Sequence, residues 1–372
     1  MRRVIAGFVL LVTGLLFALP ANGQESPSPV EVRQFDIDLG ADFVTHAELT
    51  LPTGDSAPFP LVILLHGSGP YDMDATVSTP EGEVLSANFR RIAESLAANG
   101  IAALRFNKRG VLGDGAYDFA QIQASDLDRL TADATTVFET ARTLTDIDPD
   151  AIYLYGWSEG AVVASNVAAN LGDTVAGLIL QGSPNGNIST VLQYQHIELG
   201  LEYLHTITDI NNDNLLSLDE IAAIPPVSGA VSLMPAFYLY DYTSTPQNPL
   251  INSYTDSNGD GMIAIDDELR PTIEMFIANY DQFVTQTDAS WAVGELLAQS
   301  GIPTLVLHGS MDGWVPVETA AELHEAASQS VTVSIYDGLG HALSPTDDRA
   351  LDSFRDIDQA PLDDIAAWIN AR

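Results

Sequence analysis

Between Val30 and Leu51 apolar and polar residues alternate in two stretches, Val30–Asp38 and Phe43–Leu51, which is the period of strands covered on one face. Further on the pattern changes. Leu61–Leu65, Ile101–Phe106, Ala151–Tyr155, Val175–Leu180, Ile302–Leu307 and Val331–Tyr336 are short, mostly apolar runs, the profile of strands buried on both faces. Helix-period sequence separates several of them: Asn88–Asn99, closed by Gly100; about Ser125 to Leu144, with Ser125 placed to cap the N-terminus; and the alanine-rich Ala161–Asn170. Strand–helix alternation of this kind predicts an α/β fold, with a mostly parallel central sheet and helices on both faces.

From Pro184 to about Gly294 the regularity lapses over a stretch far longer than a normal connection requires. The expected organisation is therefore a catalytic domain built from 24–184 and 295–372, with 185–294 inserted as a lid. Residues 1–23 carry Arg2 and Arg3, then the apolar Val4–Leu19, then the small residues Ala21 and Gly23. That run is shorter than the roughly 20 residues that span a bilayer, so it reads as a signal peptide and the mature chain as periplasmic or extracellular, without a membrane anchor.

Gly156-Trp157-Ser158-Glu159-Gly160 lies directly between a predicted strand and a predicted helix. A serine on such a sharp turn is lifted above the sheet, and the flanking glycines let strand and helix approach closely. Asp312 follows the strand Ile302–Leu307, and His341 follows Val331–Tyr336, so both belong to loops at the edge where parallel sheets bind ligands. The order Ser158, Asp312, His341 is that of a nucleophile, its acid and its base. Asp312 also stands in an ordinary Asp-Gly turn, and Asp337 is a neighbouring competitor. His46, His196, His205 and His324 sit in the hairpin, the insert or a helix, away from that edge. His66 and His308 end strands at the edge but precede glycine turns, where a ring props up a loop. The backbone N–H groups of Glu159 and Ser68, with Gly69 as the nearest alternative to Ser68, are placed to form an oxyanion hole.

With these segments in view, His66–Pro70, Arg105–Gly110, Gly156–Gly160, the Asp312-Gly-Trp-Val-Pro run and Gly340-His341 resemble the α/β-hydrolase superfamily. The bacterial carboxylesterase, dienelactone-hydrolase and serine-aminopeptidase branches are similar in style, over about residues 30–184 and 295–372. The resemblance implies hydrolysis of an ester, thioester or amide through an acyl-enzyme, without an organic cofactor. Asn107 departs from the common Asp-x-Arg-Gly form, and Arg109 is expected to bond loop carbonyls.

Two loops in the insert change the picture further. Asp209, Asn211, Asp213, Ser217 and Glu220 supply oxygens at positions 1, 3, 5, 9 and 12 of a calcium loop, with the Leu215 carbonyl at position 7. Asp256, Asn258, Asp260, the Met262 carbonyl and Asp267 repeat the set, and Gly261 occupies the sharp-turn position 6. Both read as EF-hand-like Ca2+ sites that brace the lid, with Phe237–Tyr242 and Phe276–Phe283 as candidate walls of an acyl pocket.

Composition narrows the classes. With 51 acidic against 14 basic residues the formal charge is −37, a surface that repels nucleic acid and anionic lipid and that screening salt or divalent cations should stabilise. There is no cysteine, so disulfides, thiolate metal sites and a cysteine nucleophile are excluded. The expected substrate is a small-molecule ester or a short acyl or peptidyl group. A serine peptidase in the style of prolyl oligopeptidase or an aminopeptidase is the alternative enzyme, and a calcium-dependent binding protein on an inactive scaffold is the alternative of another class.

Overall fold

The computed structural model describes residues 30–54, 57–79, 81–113, 115–225, 229–245, 247–284 and 287–372. The expected signal segment lies outside them. Among the described residues no helix is long and apolar enough to cross a membrane.

The alternating N-terminal stretches form an antiparallel hairpin, β1 (Val30–Asp38) and β2 (Val44–Pro52), at one edge of an eight-stranded sheet. The apolar runs supply β3 (Phe59–Leu65), β4 (Ala102–Phe106), β5 (Ile147–Trp157), β6 (Gly177–Gln181), β7 (Thr304–Gly309) and β8 (Val331–Tyr336). Their spatial order is β1-β2-β4-β3-β5-β6-β7-β8, with β2 antiparallel to β4 and every pairing from β4 to β8 parallel.

Period-two alternation divides each central strand between two cores. Leu61, Ile63 and Leu65 of β3 face one core, while Val62 and Leu64 face the other. The first core is closed by helices α2 (Leu127–Ala141), α3 (Glu159–Leu171), α5 (Val293–Ser300) and α6 (Glu318–Ala326). The second is closed by α1 (Asn88–Ala98) and α7 (Gln359–Asn370). Because both faces are covered, loops at the carboxyl ends of the strands remain the accessible rim. The cap of α2 is Asp126, whose carboxylate accepts from the Arg129 N–H at 2.8 Å, and the expected Ser125 instead bonds the Gln121 carbonyl.

Between β6 and α5 the chain builds a third core of its own, from Leu201, Leu204, Met234, Tyr238, Ile263, Leu269 and Ile273 among others. Helix α4 (Arg270–Val284) is its longest element, and several of its other turns are π-helical.

Candidate active site

At the end of β5 the chain turns at Ser158, with φ 57° and ψ −121°, and enters α3 at Glu159. A non-glycine residue is held at positive φ only where its surroundings over-determine it. Here the surroundings are two backbone contacts: a Cβ at Gly156 would overlap the Gly160 carbonyl, and one at Gly160 would overlap the Leu65 carbonyl of β3. The Ser158 N–H donates to the Gln181 carbonyl of β6 at 2.9 Å, and the half-buried hydroxyl has no hydrogen-bond partner among the described residues.

Asp312 follows β7 and is buried. Its Oδ1 accepts from the N–H groups of Trp314 and Val315, both at 2.8 Å, and its Oδ2 faces Nδ1 of His341 at 2.8 Å. Burial by itself would raise the Asp312 carboxyl, but the facing His341 and His308 outweigh it and hold the group well below the usual carboxylate range. His341 reaches back toward β6. A Cβ on Gly182, the residue after Gln181, would lie 2.7 Å from Nδ1 and Cε1 of the imidazole, and the Trp157 and His341 rings are 5.8 Å apart. Asp312 and His341, from two loops, are thus paired at the carboxyl rim, with the imidazole near the ring of Trp157, the residue before Ser158.

His308, expected only to prop a loop, also touches this group. Its Nε2 lies 3.1 Å from Asp312 Oδ2 and 3.1 Å from the Val315 carbonyl, two acceptors that require a proton on Nε2. Burial lowers its basicity, and the Asp312 contact overcomes that and raises it. The sequence signal was present, since His308 ends a strand at the correct edge. What it lacked was the return of the Asp312 loop beneath the strand end.

The loop after β3 lies against the Ser158 turn: a Cβ on Gly67 would approach Ser158 Cβ to 3.3 Å. Ser68 and Gly69 are exposed beside it, and the Glu159 N–H opens α3, where first-turn donors have no acceptor within the helix. The chain's only lysine joins the two segments, a role not foreseen from sequence. Lys108 Nζ donates to the Gly67 carbonyl at 2.7 Å and to Glu159 Oε2 at 2.8 Å. His66 is buried with Nε2 on the Asp72 carbonyl, and burial together with the nearby Lys108 lowers it to about 3, so its ring is neutral and structural. Arg109 bonds the Leu39 and Gly40 carbonyls, as expected, and also grips Asp133 through both carboxylate oxygens at 2.7 and 2.6 Å.

A family described as serine aminopeptidase, S33, matches residues 84–204. Esterase EstD of Thermotoga maritima is 30% identical over 243 residues, which is 62% of this chain and 52% of that protein. The chain thus spans about half the length of that curated relative. Est1E from Butyrivibrio proteoclasticus, solved with ferulic acid bound, superposes with a TM-score of 0.50 at 15% identity, over 91% of this chain and 96% of that one. DcsB, solved in complex with a substrate analogue, superposes with a TM-score of 0.51 at 14% identity, over 92% and 99%. This is the α/β-hydrolase fold.

In this fold the insert docks on the Asp312 loop. The Tyr194 hydroxyl donates to the Asp312 carbonyl at 2.7 Å, and Gln195 Nε2 donates to the Trp314 carbonyl at 2.8 Å. Of the residues expected to wall a pocket, Phe237, Tyr238 and Phe276 pack on one another at ring separations of 5.5 to 6.0 Å, and Tyr238 bonds the buried His196. Tyr280 extends this aromatic cluster, its ring 5.6 Å from that of Phe276. Burial raises its hydroxyl, and the nearby Glu159 carboxylate raises it further. Tyr242 is exposed, and the Phe283 side chain lies outside the described residues.

The two acidic loops of the insert pair through Leu216 and Ile263, their eighth positions, in a short antiparallel ladder. In the first loop Asp209 accepts from the N–H groups of Asp213 and Asn214, and Glu220 reaches back to those of Ile210 and Ser217. In the second loop Asp256 accepts from Gly259, Asp260 and Gly261, but the group that reaches back is not Asp267. It is Glu268, bonded to the Ser257 and Ala264 N–H groups at 2.9 Å each, the counterparts of the Glu220 bonds. The π-helical turn Ile265–Leu269 widens the helix start, which leaves Asp267 exposed and brings the next residue inward. Among the described residues no three His, Cys, Asp or Glu side chains are gathered as a metal-holding group, and the Asp209 and Asp256 carboxylates face backbone amides.

Proposed function

We propose that this protein is a serine hydrolase that cleaves carboxylic esters of small molecules through an acyl-enzyme on Ser158. The observation that carries the reading is the Asp312–His341 pair, bonded at 2.8 Å, at the same rim as a serine held at positive φ on the turn from β5 to α3, whose preceding Trp157 ring lies 5.8 Å from the imidazole. Asp312 keeps a proton on His341 Nδ1, which leaves Nε2 as the base. As the ester carbonyl is attacked, the Ser158 proton passes to Nε2. The carbonyl oxygen becomes an oxyanion facing the N–H groups of Glu159 and the Ser68 segment, a stabilisation of about 3–4 kcal/mol per donor. His341 then protonates the leaving alcohol, and water attacks the acyl-enzyme with His341 again as base. The esterase activity named for EstD supports this choice of bond.

A fluorophosphonate probe tests the reading. It should form one adduct, mapped by mass spectrometry to the peptide containing Ser158. Absence of an adduct on the folded protein would favour a binding protein instead. A serine peptidase is a second reading, favoured by the aminopeptidase description of the matching family. Turnover of aminoacyl amides exceeding that of nitrophenyl esters would select it.

We further propose that the chain is exported and that the paired loops of the insert take calcium. Their oxygen-rich residues Asp209, Asn211, Asp213, Glu220, Asp256, Asn258, Asp260 and Glu268 suit a hard cation, and pairing through the eighth positions makes each loop support the other. Bound there, calcium would serve as a structural brace, offsetting carboxylate repulsion in the insert. Calcium is expected to raise the melting temperature and chelator to reverse the rise. By titration calorimetry Glu268→Gln should weaken binding about tenfold or more, and Asp267→Asn much less, as expected for a ligand against a bystander. A melting curve indifferent to both calcium and chelator would remove the metal from the account.

A further inference from the structure

The buried acid Asp352 belongs to neither the oxyanion hole nor the Ser158–His341–Asp312 group, yet it touches two of its loops. Its Oδ2 accepts the N–H of Gly313 at 3.0 Å and the N–H of His341 at 2.7 Å, so one oxygen ties the residue after the acid to the base itself. Oδ1 is buried without a hydrogen-bond partner among the described residues. The two loops are shaped around this carboxyl. A Cβ on Gly340 would overlap Asp352 Oδ1, and one on Gly313 would overlap the Arg349 carbonyl and come within 3.0 Å of Asp352 Cβ. Glycines thus flank Asp312 and His341 because the Asp352 segment occupies the space their side chains would need. The same segment holds the Trp314 ring, 6.3 Å from that of His341, since the Asp352 carbonyl accepts from Trp314 Nε1 at 2.9 Å.

Resting on the hydrolase reading above, we propose that Asp352 is a positioning residue, which clamps the Asp312 loop to the His341 loop through the Gly313 and His341 N–H groups and so sets the separation of acid and base. Such a clamp acts on the rate of the chemical step. His341 must present Nε2 to Ser158 while Nδ1 stays on Asp312, and a displacement of about 1 Å in such a group costs about 10²-fold in rate. Asp352 is fully buried, out of a substrate's reach, so substrate binding should be largely spared.

The electrical surroundings fit a clamp that works through hydrogen bonds rather than charge. Burial, and then the neighbouring Asp312 charge, push the Asp352 carboxyl up to about 7, against the opposing effect of the two N–H donors and His341. The other titratable or charged groups facing this cluster are His308, on Asp312; Tyr194, from the insert, on the Asp312 carbonyl; Arg349, on the Ser310 carbonyl; and Glu318, beside His308 and Tyr194. A neutral group with one oxygen aimed at two N–H donors keeps the clamp intact, so asparagine is the natural replacement.

Kinetics on Asp352→Ala and Asp352→Asn test the proposal, with Ser158→Ala alongside. Alanine should lower kcat by about 10²-fold while KM stays within about threefold, and asparagine, which keeps an oxygen for both N–H groups, should recover kcat to within about fivefold of wild type. Wild-type kcat in the alanine variant, or an asparagine variant as slow as alanine, would overturn it. Should the alanine protein fail to fold, the rate of fluorophosphonate labelling of Asp352→Asn decides: near wild type supports the clamp, and a hundredfold loss refutes it. Full turnover in Ser158→Ala would sink the hydrolase reading itself. A dead Ser158→Ala beside a fully active Asp352→Ala would sink only the clamp.

Discussion

Ser158→Ala is expected to lower kcat for a nitrophenyl ester by about 10⁴- to 10⁶-fold with little change in KM, measured by continuous release of nitrophenol. The reasoning is geometric. No other residue occupies the turn, where strand and helix approach so closely that a Cβ at Gly156 or Gly160 would overlap backbone. In the proposed mechanism, removing the hydroxyl deletes the nucleophile and leaves the N–H donors, which should sustain a residual rate of about 10³–10⁴ over water. The variant should fold as the wild type does, because the hydroxyl has no hydrogen-bond partner among the described residues and the Ser158 N–H keeps its bond to the Gln181 carbonyl at 2.9 Å. A variant retaining a tenth of wild-type kcat would mean that another serine, or direct attack by water, carries the reaction.

Asp312→Asn should come second, with a loss in kcat of about 10⁴-fold near neutral pH. Two backbone N–H groups, of Trp314 and Val315, already point at Oδ1, each at 2.8 Å, and they dictate the orientation of the amide. Its carbonyl oxygen must take that position, so its NH₂ is turned toward His341 Nδ1. The imidazole can then meet it only as an acceptor, which moves the proton to Nε2 and removes the base. A flipped amide would oppose three donors to one another. His308 makes the substitution harsher, since its Nε2–H also loses the carboxylate oxygen 3.1 Å away. Measuring kcat against pH separates this account from simple misfolding. A wrong tautomer recovers as pH rises and hydroxide replaces the imidazole, while a misfolded protein does not. An Asp312→Asn enzyme within tenfold of wild type would indicate that another acid, such as Asp337, holds the base.

Much of the site depends on patterns that are local in sequence. The elbow is one, because a two-sided apolar run, a Gly-x-Ser-x-Gly and an alanine-rich helix are contiguous. Asp312 and His341 were readable because each follows a strand whose loop must emerge at the carboxyl rim of a parallel sheet, whatever the details of packing. The contacts that surround them are not local. His308 meets Asp312 only because the loop folds back under its own strand, and Asp352 reaches His341 across a segment that shows no motif. Lys108 is unremarkable as a residue until Gly67 and Glu159 arrive beside it. In the insert, oxygen-bearing residues at alternate positions announced two loops. The sequence register nevertheless pointed to Asp267, since a π-helical turn, which substitutes Glu268, leaves no periodic trace in so short a stretch.

By itself, then, the sequence determined the element order, the two-sided sheet and the three loops that deliver Ser158, Asp312 and His341, because hydrophobic period and turn chemistry act over a few residues at a time. Only the tertiary structure decided which buried groups stand around those three, how the insert seats on the Asp312 loop through Tyr194 and Gln195, and which carboxylate closes the second acidic loop. Those outcomes depend on burial and on distances of about 3 Å between segments far apart in the chain, where a carboxyl finds its donors only after the core has assembled.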